Sequence, residues 1–131
     1  MNVATILFMC PHNAAKSLLV AAYYRQMAVE RQLEWHILTA GTEPDDEPAA
    51  AVVALLQSEG LAVSAEKPHR VTEDELAAAD WIISMGCDLN GLVVPGATVI
   101  YWNDIPSPSQ DLMGARQAII KHLEQFMYQL I

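Results

Sequence analysis

The sequence is short of positive charge, of cysteine and of long apolar runs, and each shortage removes a class of function. Its 131 residues hold 7 lysines and arginines against 16 aspartates and glutamates, a formal net charge of -9. A surface of that sign repels phosphate backbones and anionic lipid, so neither nucleic acid nor membrane is an expected partner. An anion site, if there is one, must be a local exception built from a few cations and backbone N–H groups. No apolar run approaches the length of a membrane span. The N-terminus lacks a basic region and a cleavage signature, so Val3 to Met9 does not read as a signal peptide, and a cytoplasmic location is expected. The 2 cysteines, Cys10 and Cys87, could form one bridge, but without an export signal both are expected as reduced thiols. The 4 histidines are scattered far from one another and give no zinc pattern, so no metal or other cofactor is expected. His36 and His122 read as surface positions. Asp45, Asp46 and Glu47 are better explained by helix-start electrostatics than by metal binding.

A chain of this length reads as one domain over residues 1–131, able to bury roughly two thirds of its extended surface. Val3 to Met9 is a continuous apolar run closed by Pro11 and predicts a buried central strand. Leu18, Leu19, Ala22, Tyr23 and Met27 recur at helical spacing, and that helix is predicted from Leu18 to Leu33. Trp35 to Thr39 predicts a second strand, closed by Gly41. The acids before Pro48 and the alanine-rich run after it predict a helix start. Val52, Leu55 and Leu56 are its expected buried stripe and Gly60 its stop. Thr72 and Glu75 have capping-box spacing. Asp80 to Met85 and Ala97 to Trp102 predict the third and fourth strands, with a brief helix or turn over Asp88 to Leu92 between them. A proline-rich loop follows from Asp104 to Ser109. Met113, Arg116, Ile120, Leu123, Met127 and Leu130 mark a long terminal amphipathic helix. Strands alternating with helices predict an α/β domain: three layers, α/β/α, around a four-stranded parallel sheet. Ligands collect at the C-terminal ends of such strands. Three informative segments fall there: the Cys10 loop, Met85-Gly86-Cys87, and Trp102 to Pro108.

The richest of these is Cys10-Pro11-His12-Asn13-Ala14-Ala15-Lys16-Ser17. It contains no glycine and no Gly-Lys-Ser, so it is not the glycine-rich nucleotide loop. A thiol at a strand exit, in a short turn that opens a helix, can meet an anion together with backbone N–H groups and a helix dipole. Such a position favours the thiolate. Asn13 offers an amide to hold the turn, Ser17 a hydroxyl for the sulfur, and Lys16 a point charge without arginine's rigid fork. On composition alone the competing reading is a buried, inert cysteine.

The chain resembles the arsenate reductase and low-molecular-weight protein tyrosine phosphatase superfamily, and particularly its bacterial arsenate reductase branch. Members carry a cysteine, five residues, then arginine and serine or threonine between the first strand and first helix. The matching residues are Cys10, Asn13, Lys16 and Ser17. Similarity continues in Ala40-Gly41-Thr42, Glu47-Pro48-Ala49, Ala79-Asp80, Ser84-Met85-Gly86-Cys87, Pro95-Gly96, Trp102, and the Arg116 and Ile119 of the last helix. The resemblance implies the phosphotyrosine protein phosphatase I-like fold. It also implies that Cys10 attacks phosphorus or arsenic, that Lys16 stands in as oxyanion clamp, that Ser17 steadies the thiolate and that Asn13 braces the loop. His12, Asn13, Ala14, Ala15 and Lys16 would surround the anion, with His69, Arg70 and Trp102 at the pocket rim.

The departures are specific. The family's general acid is an aspartate directly before a proline, where this chain has Ile105 before Pro106. Asp104, one residue earlier, is the displaced candidate, or else a turn aspartate capping the loop. Ser107 and Pro108 stand where the phosphatase branch carries tyrosines, which argues against tyrosine-phosphate recognition. Gly91-Leu92 replaces the relay cysteine expected after Cys87, leaving Cys87 as a candidate resolving thiol or a structural residue. The expected function is thiol-dependent chemistry on a phosphate, sulfate or arsenate-like oxyanion, with an external thiol donor for a reductase. The alternatives are a catalytically degenerate relative that binds such an anion or a protein partner, and a Cys10/Cys87 redox protein.

Overall fold

The computed structural model describes residues 4–63, 67–89, 91–92 and 96–130; Val3 and Pro95, used above, lie outside them, as does the side chain of Leu130. The elements run β1 Thr5–Met9, α1 Lys16–Arg31, β2 His36–Ala40, α2 Ala50–Ser58, α3 Glu73–Ala78, β3 Trp81–Ser84, β4 Thr98–Tyr101 and α4 Leu112–Leu130. The four strands form one parallel sheet in the order β2-β1-β3-β4. The apolar run in β1 is accounted for by its place between two strands and between two helical layers. Ile6 and Phe8 face a core shared with α1, α2 and α4, while Leu7 and Met9 face a second core with Leu76 of α3 and Ile82 of β3. That period of two is the pleat of a strand.

Local rules explain the helix ends. Thr72 accepts from the Glu75 N–H at 3.1 Å and Glu75 returns a carboxylate to the Thr72 N–H at 2.9 Å, the reciprocal box its spacing predicts. After α2, Gly60 takes a positive φ of 73°, the Leu61 N–H donates to the Leu56 carbonyl and the Gly60 N–H to that of Gln57. This is a Schellman stop. Two expectations need correction. No acid lies in the first turn of α2, and its N-cap Ala49 sends its N–H to the Ala14 carbonyl instead. The acidic segment is spent on bracing the Cys10 loop. Met113 is 51% exposed and Ile120 only partly buried; the buried face of α4 is Ala115, Ile119, Leu123, Phe126 and Met127. Asp88 to Leu92 contains a turn, closed by the Leu92 N–H on the Leu89 carbonyl.

One polar cluster fixes three helices together. Arg116 of α4 donates to Glu59, just past α2, through Nη2 at 2.6 Å and Nε at 2.9 Å. The buried Tyr23 of α1 donates its O–H to the same carboxylate at 2.5 Å, beneath the guanidinium. The Arg116 hydrogen bonds hold the Glu59 carboxyl below its ordinary 4.5. A depressed carboxyl adds stability above its unfolded titration range, and that contribution is lost as pH falls through its folded value. Glu59→Gln should therefore lower unfolding stability at pH 7 by about 2 kcal/mol. Urea unfolding should show the gap between the two proteins closing below pH 4.5.

Candidate active site

The Cys10 loop leaves β1 and enters α1 in six residues, and its backbone carbonyls and N–H groups are used unequally. Three of the carbonyls are taken by the strap that follows β2: Glu43 N–H donates to Pro11 at 2.8 Å, Asp45 N–H to His12 at 3.0 Å and Ala49 N–H to Ala14 at 2.9 Å. The N–H groups from His12 through Leu18 find no acceptor among the described residues. Consecutive N–H groups of this kind, opening a 16-residue helix, form an anion cradle. Asn13 makes the turn possible at φ 51°, a left-handed conformation that asparagine tolerates.

The side chains give the cradle a directed chain of hydrogen bonds. The backbone N–H of His69 donates to Asn13 Oδ1 at 3.0 Å, which fixes the amide so that Nδ2 donates to Ser17 Oγ at 2.8 Å. With its oxygen accepting from Asn13, the Ser17 hydroxyl has its own proton to give to Cys10 Sγ, 3.2 Å away. Asn13, Ser17 and Cys10 are all buried, so this chain is shielded from competing water.

Over the loop lies a cavity of about 450 Å³. One wall is the loop itself, including Cys10, His12, Ala14, Ala15 and Lys16. The second is the apolar start of α2 from Ala49 to Val52 with Asp45. The third is Ser107, Pro108 and Ser109. Lys16 makes no ion pair with a described residue, and its ammonium lies beside Gly86, where an added Cβ would sit 3.7 Å from Nζ. The role of Ser107 and Pro108 as a wall had a signal in the sequence, since both stand where the resemblance places tyrosines. Asp45 gave none beyond its proximity to the start of α2. No group of three metal-ligating side chains occurs among the described residues.

Several sequence candidates lie elsewhere. Asp104 does not line the cavity; its carboxylate accepts from His122 Nε2 of α4 at 2.7 Å, and that bond holds it below its ordinary value. Trp102 is 5% exposed and stacks on the His122 ring at 4.7 Å, so it is a core aromatic rather than a rim. His69 serves the loop through its backbone, while its ring pairs with Glu75 at 2.8 Å. Arg70 is exposed and off the cavity wall; its backbone forms a parallel bridge with Gly41. Cys87 is buried in the α3-side core, with its N–H on Ser84 Oγ at 3.1 Å. Burial, reinforced by negative charge at Cys10, pushes its thiol up to about 11 against the opposing effects of Thr42 and Lys16.

The comparisons give the family to which this parallel sheet and its cysteine loop belong. Residues 5–96 match the low molecular weight phosphotyrosine protein phosphatase family, and the chain belongs to it. The matched span ends before the Asp104 loop and α4. A Halobacterium salinarum relative named for arsenate reduction is 37% identical over 82 residues, 61% of this chain and 58% of its own length. This chain thus aligns with little more than half of that relative. The thioredoxin-dependent arsenate reductase of Corynebacterium glutamicum superposes with TM-score 0.84 at 24% identity, covering 97% of this chain and 61% of the other. An arsenate reductase from Archaeoglobus fulgidus gives TM-score 0.67 at 28% identity, with 95% and 97% covered. No helix among the described residues is long and apolar enough to cross a membrane.

Proposed function

We propose that this chain performs thiol-dependent chemistry on a small tetrahedral oxyanion, with Cys10 as the nucleophile. The observation that carries this reading is the separation of the loop's backbone groups. The backbone N–H groups of the strap take loop carbonyls, and the N–H groups from His12 to Leu18 are left for a ligand beside a sulfur that accepts from Ser17. An oxyanion seated there places its central atom against Sγ, and the cradle donors strengthen their hold as negative charge builds in the transition state. Lys16 supplies the cation. Reading the arsenate reductase relatives onto this site, Cys10 forms an S–As bond and water departs. A second thiol then attacks the Cys10 sulfur, trivalent arsenic leaves with the electron pair, and a disulfide remains for a further thiol to reduce.

That second thiol is proposed to come from outside. Cys87 stays protonated over the physiological range, and only a thiolate attacks. Its alkylation rate should rise about tenfold per pH unit until the pH nears 11. Mass-spectrometric counting of iodoacetamide adducts at both cysteines from pH 6 to 10 checks this. A Cys87 that alkylates as fast as Cys10 at pH 7 would revive the internal redox pair. The catalytic reading is tested by p-nitrophenyl phosphate hydrolysis and by arsenate reduction with several thiol donors, comparing the parent with Cys10→Ser. Turnover lost in the variant supports it. No turnover in the parent leaves the anion-binding relative, a reading that the lysine at position 16 and the placement of Asp104 outside the cavity favour.

A further inference from the structure

We propose that His12, oriented by Asp45, is the proton donor and acceptor of this site, taking over the work that an aspartate before a proline would do. The inference rests on the catalytic reading above. Cleaving an ester of an oxyanion needs a proton for the departing oxygen unless that oxygen leaves readily as an anion. Asp104 is turned to His122 and lines no part of the cavity. The titratable side chains that do line it are Cys10, His12, Lys16 and Asp45. Cys10 is the nucleophile and Lys16 the clamp, which leaves the other two.

These two are joined. His12 Nδ1 lies 3.1 Å from the Glu43 carbonyl oxygen and 3.3 Å from Asp45 Oδ1. Both neighbours are acceptors, so Nδ1 carries a hydrogen in either charge state of the ring. Nε2 makes no hydrogen bond with a described residue and is the atom that gains or loses the exchangeable proton. The arrangement is a carboxylate and a carbonyl holding an imidazole in one tautomer, on a residue that lines the cavity. The ring sits two residues past the nucleophile, on the loop whose N–H groups face the anion. Its fixed Nδ1 contacts come from the strap that also braces the loop backbone, so ring and cradle are positioned by one segment.

The steps balance. Cys10 Sγ forms a bond to phosphorus as the bond to the leaving oxygen breaks; that oxygen keeps the electron pair and takes the proton from Nε2 of the imidazolium. The neutral ring then accepts a proton from water, whose oxygen attacks phosphorus while the S–P bond returns its pair to Cys10. Asp45 touches no reacting atom and acts as a positioning residue.

The test compares phenyl phosphate, whose leaving oxygen needs a proton, with 2,4-dinitrophenyl phosphate, whose leaving oxygen does not. His12→Ala should raise the ratio of kcat/KM for the activated ester over the plain one by about 100-fold, the usual weight of a general acid. Added imidazole should recover phenyl phosphate turnover in that variant. Asp45→Asn should move the ratio in the same direction by less, through kcat rather than KM. His12→Gln carries the same expectation should the alanine variant fail to fold. An equal fall with both esters, or an unchanged ratio, would overturn the role of His12 while leaving Cys10 catalysis standing. Failure of the parent to turn over either ester would overturn this inference, and the catalytic reading falls with it only if arsenate reduction is absent too.

Discussion

Gly41→Ala should abolish turnover and phosphate binding together while the protein still folds. A Cβ at Gly41 would lie 2.6 Å from the Pro11 carbonyl oxygen and 2.9 Å from that of Cys10. Both are backbone atoms of the loop and cannot swing away as a side chain would. Gly41 cannot retreat either: its N–H donates to His69 at 3.0 Å and its carbonyl accepts from Val71 at 2.9 Å. The loop must therefore move, and moving it turns its N–H groups off the anion and draws Asn13 away from its His69 contact. Losing one preorganised oxyanion donor costs about 100-fold in rate, and here several shift at once, so kcat/KM should fall by at least that factor. Far-ultraviolet circular dichroism should stay unchanged, since Gly41 lies beyond the end of β2 and outside both cores. Parent-like turnover in Gly41→Ala would mean that the loop geometry is not what the activity uses.

Lys16→Arg should raise activity, by about 10-fold in kcat/KM. Lysine offers a compact, strongly hydrated charge, whereas arginine grips two oxygens of one tetrahedral anion in a planar fork. Gly86 leaves room for the larger head, since it has no side chain and lies beside Nζ. Lys16→Met should move activity the other way, by about 100-fold. If Lys16→Arg leaves the parent unchanged and Lys16→Met is harmless, the cation is not a clamp and the cradle works through its N–H groups alone.

Much of this site could be read from the order of residues because the physics that builds it is local. A buried strand leads straight into a thiol at its exit, an asparagine able to adopt positive φ and a serine in the first helical turn, the last three within eight residues. The parallel sheet followed from alternation, and the box at Thr72 from spacing. What stayed hidden depends on packing between distant segments. Asp104 carries the right chemistry for an acid, but His122, 18 residues away, claims it. Trp102, expected at the rim, packs in the core because Phe8, Phe126 and His122 close around it. The acids before Pro48 do precede a helix, but sequence order hid the strap to which they belong, whose backbone partners lie more than thirty residues earlier. His69, expected at the pocket rim, serves the loop through its backbone N–H.

Alkylation of Cys10 by iodoacetamide near pH 6, followed with and without inorganic phosphate, tests the central claim most directly. The cradle and the Ser17 hydrogen bond predict fast modification of Cys10 and slow modification of Cys87. They also predict that phosphate at millimolar concentration protects Cys10 by occupying the N–H groups above it, with protection lost in Gly41→Ala. Slow labelling of Cys10 that phosphate does not alter would contradict the account, because neither an activated sulfur nor an anion seat would then be present in the loop.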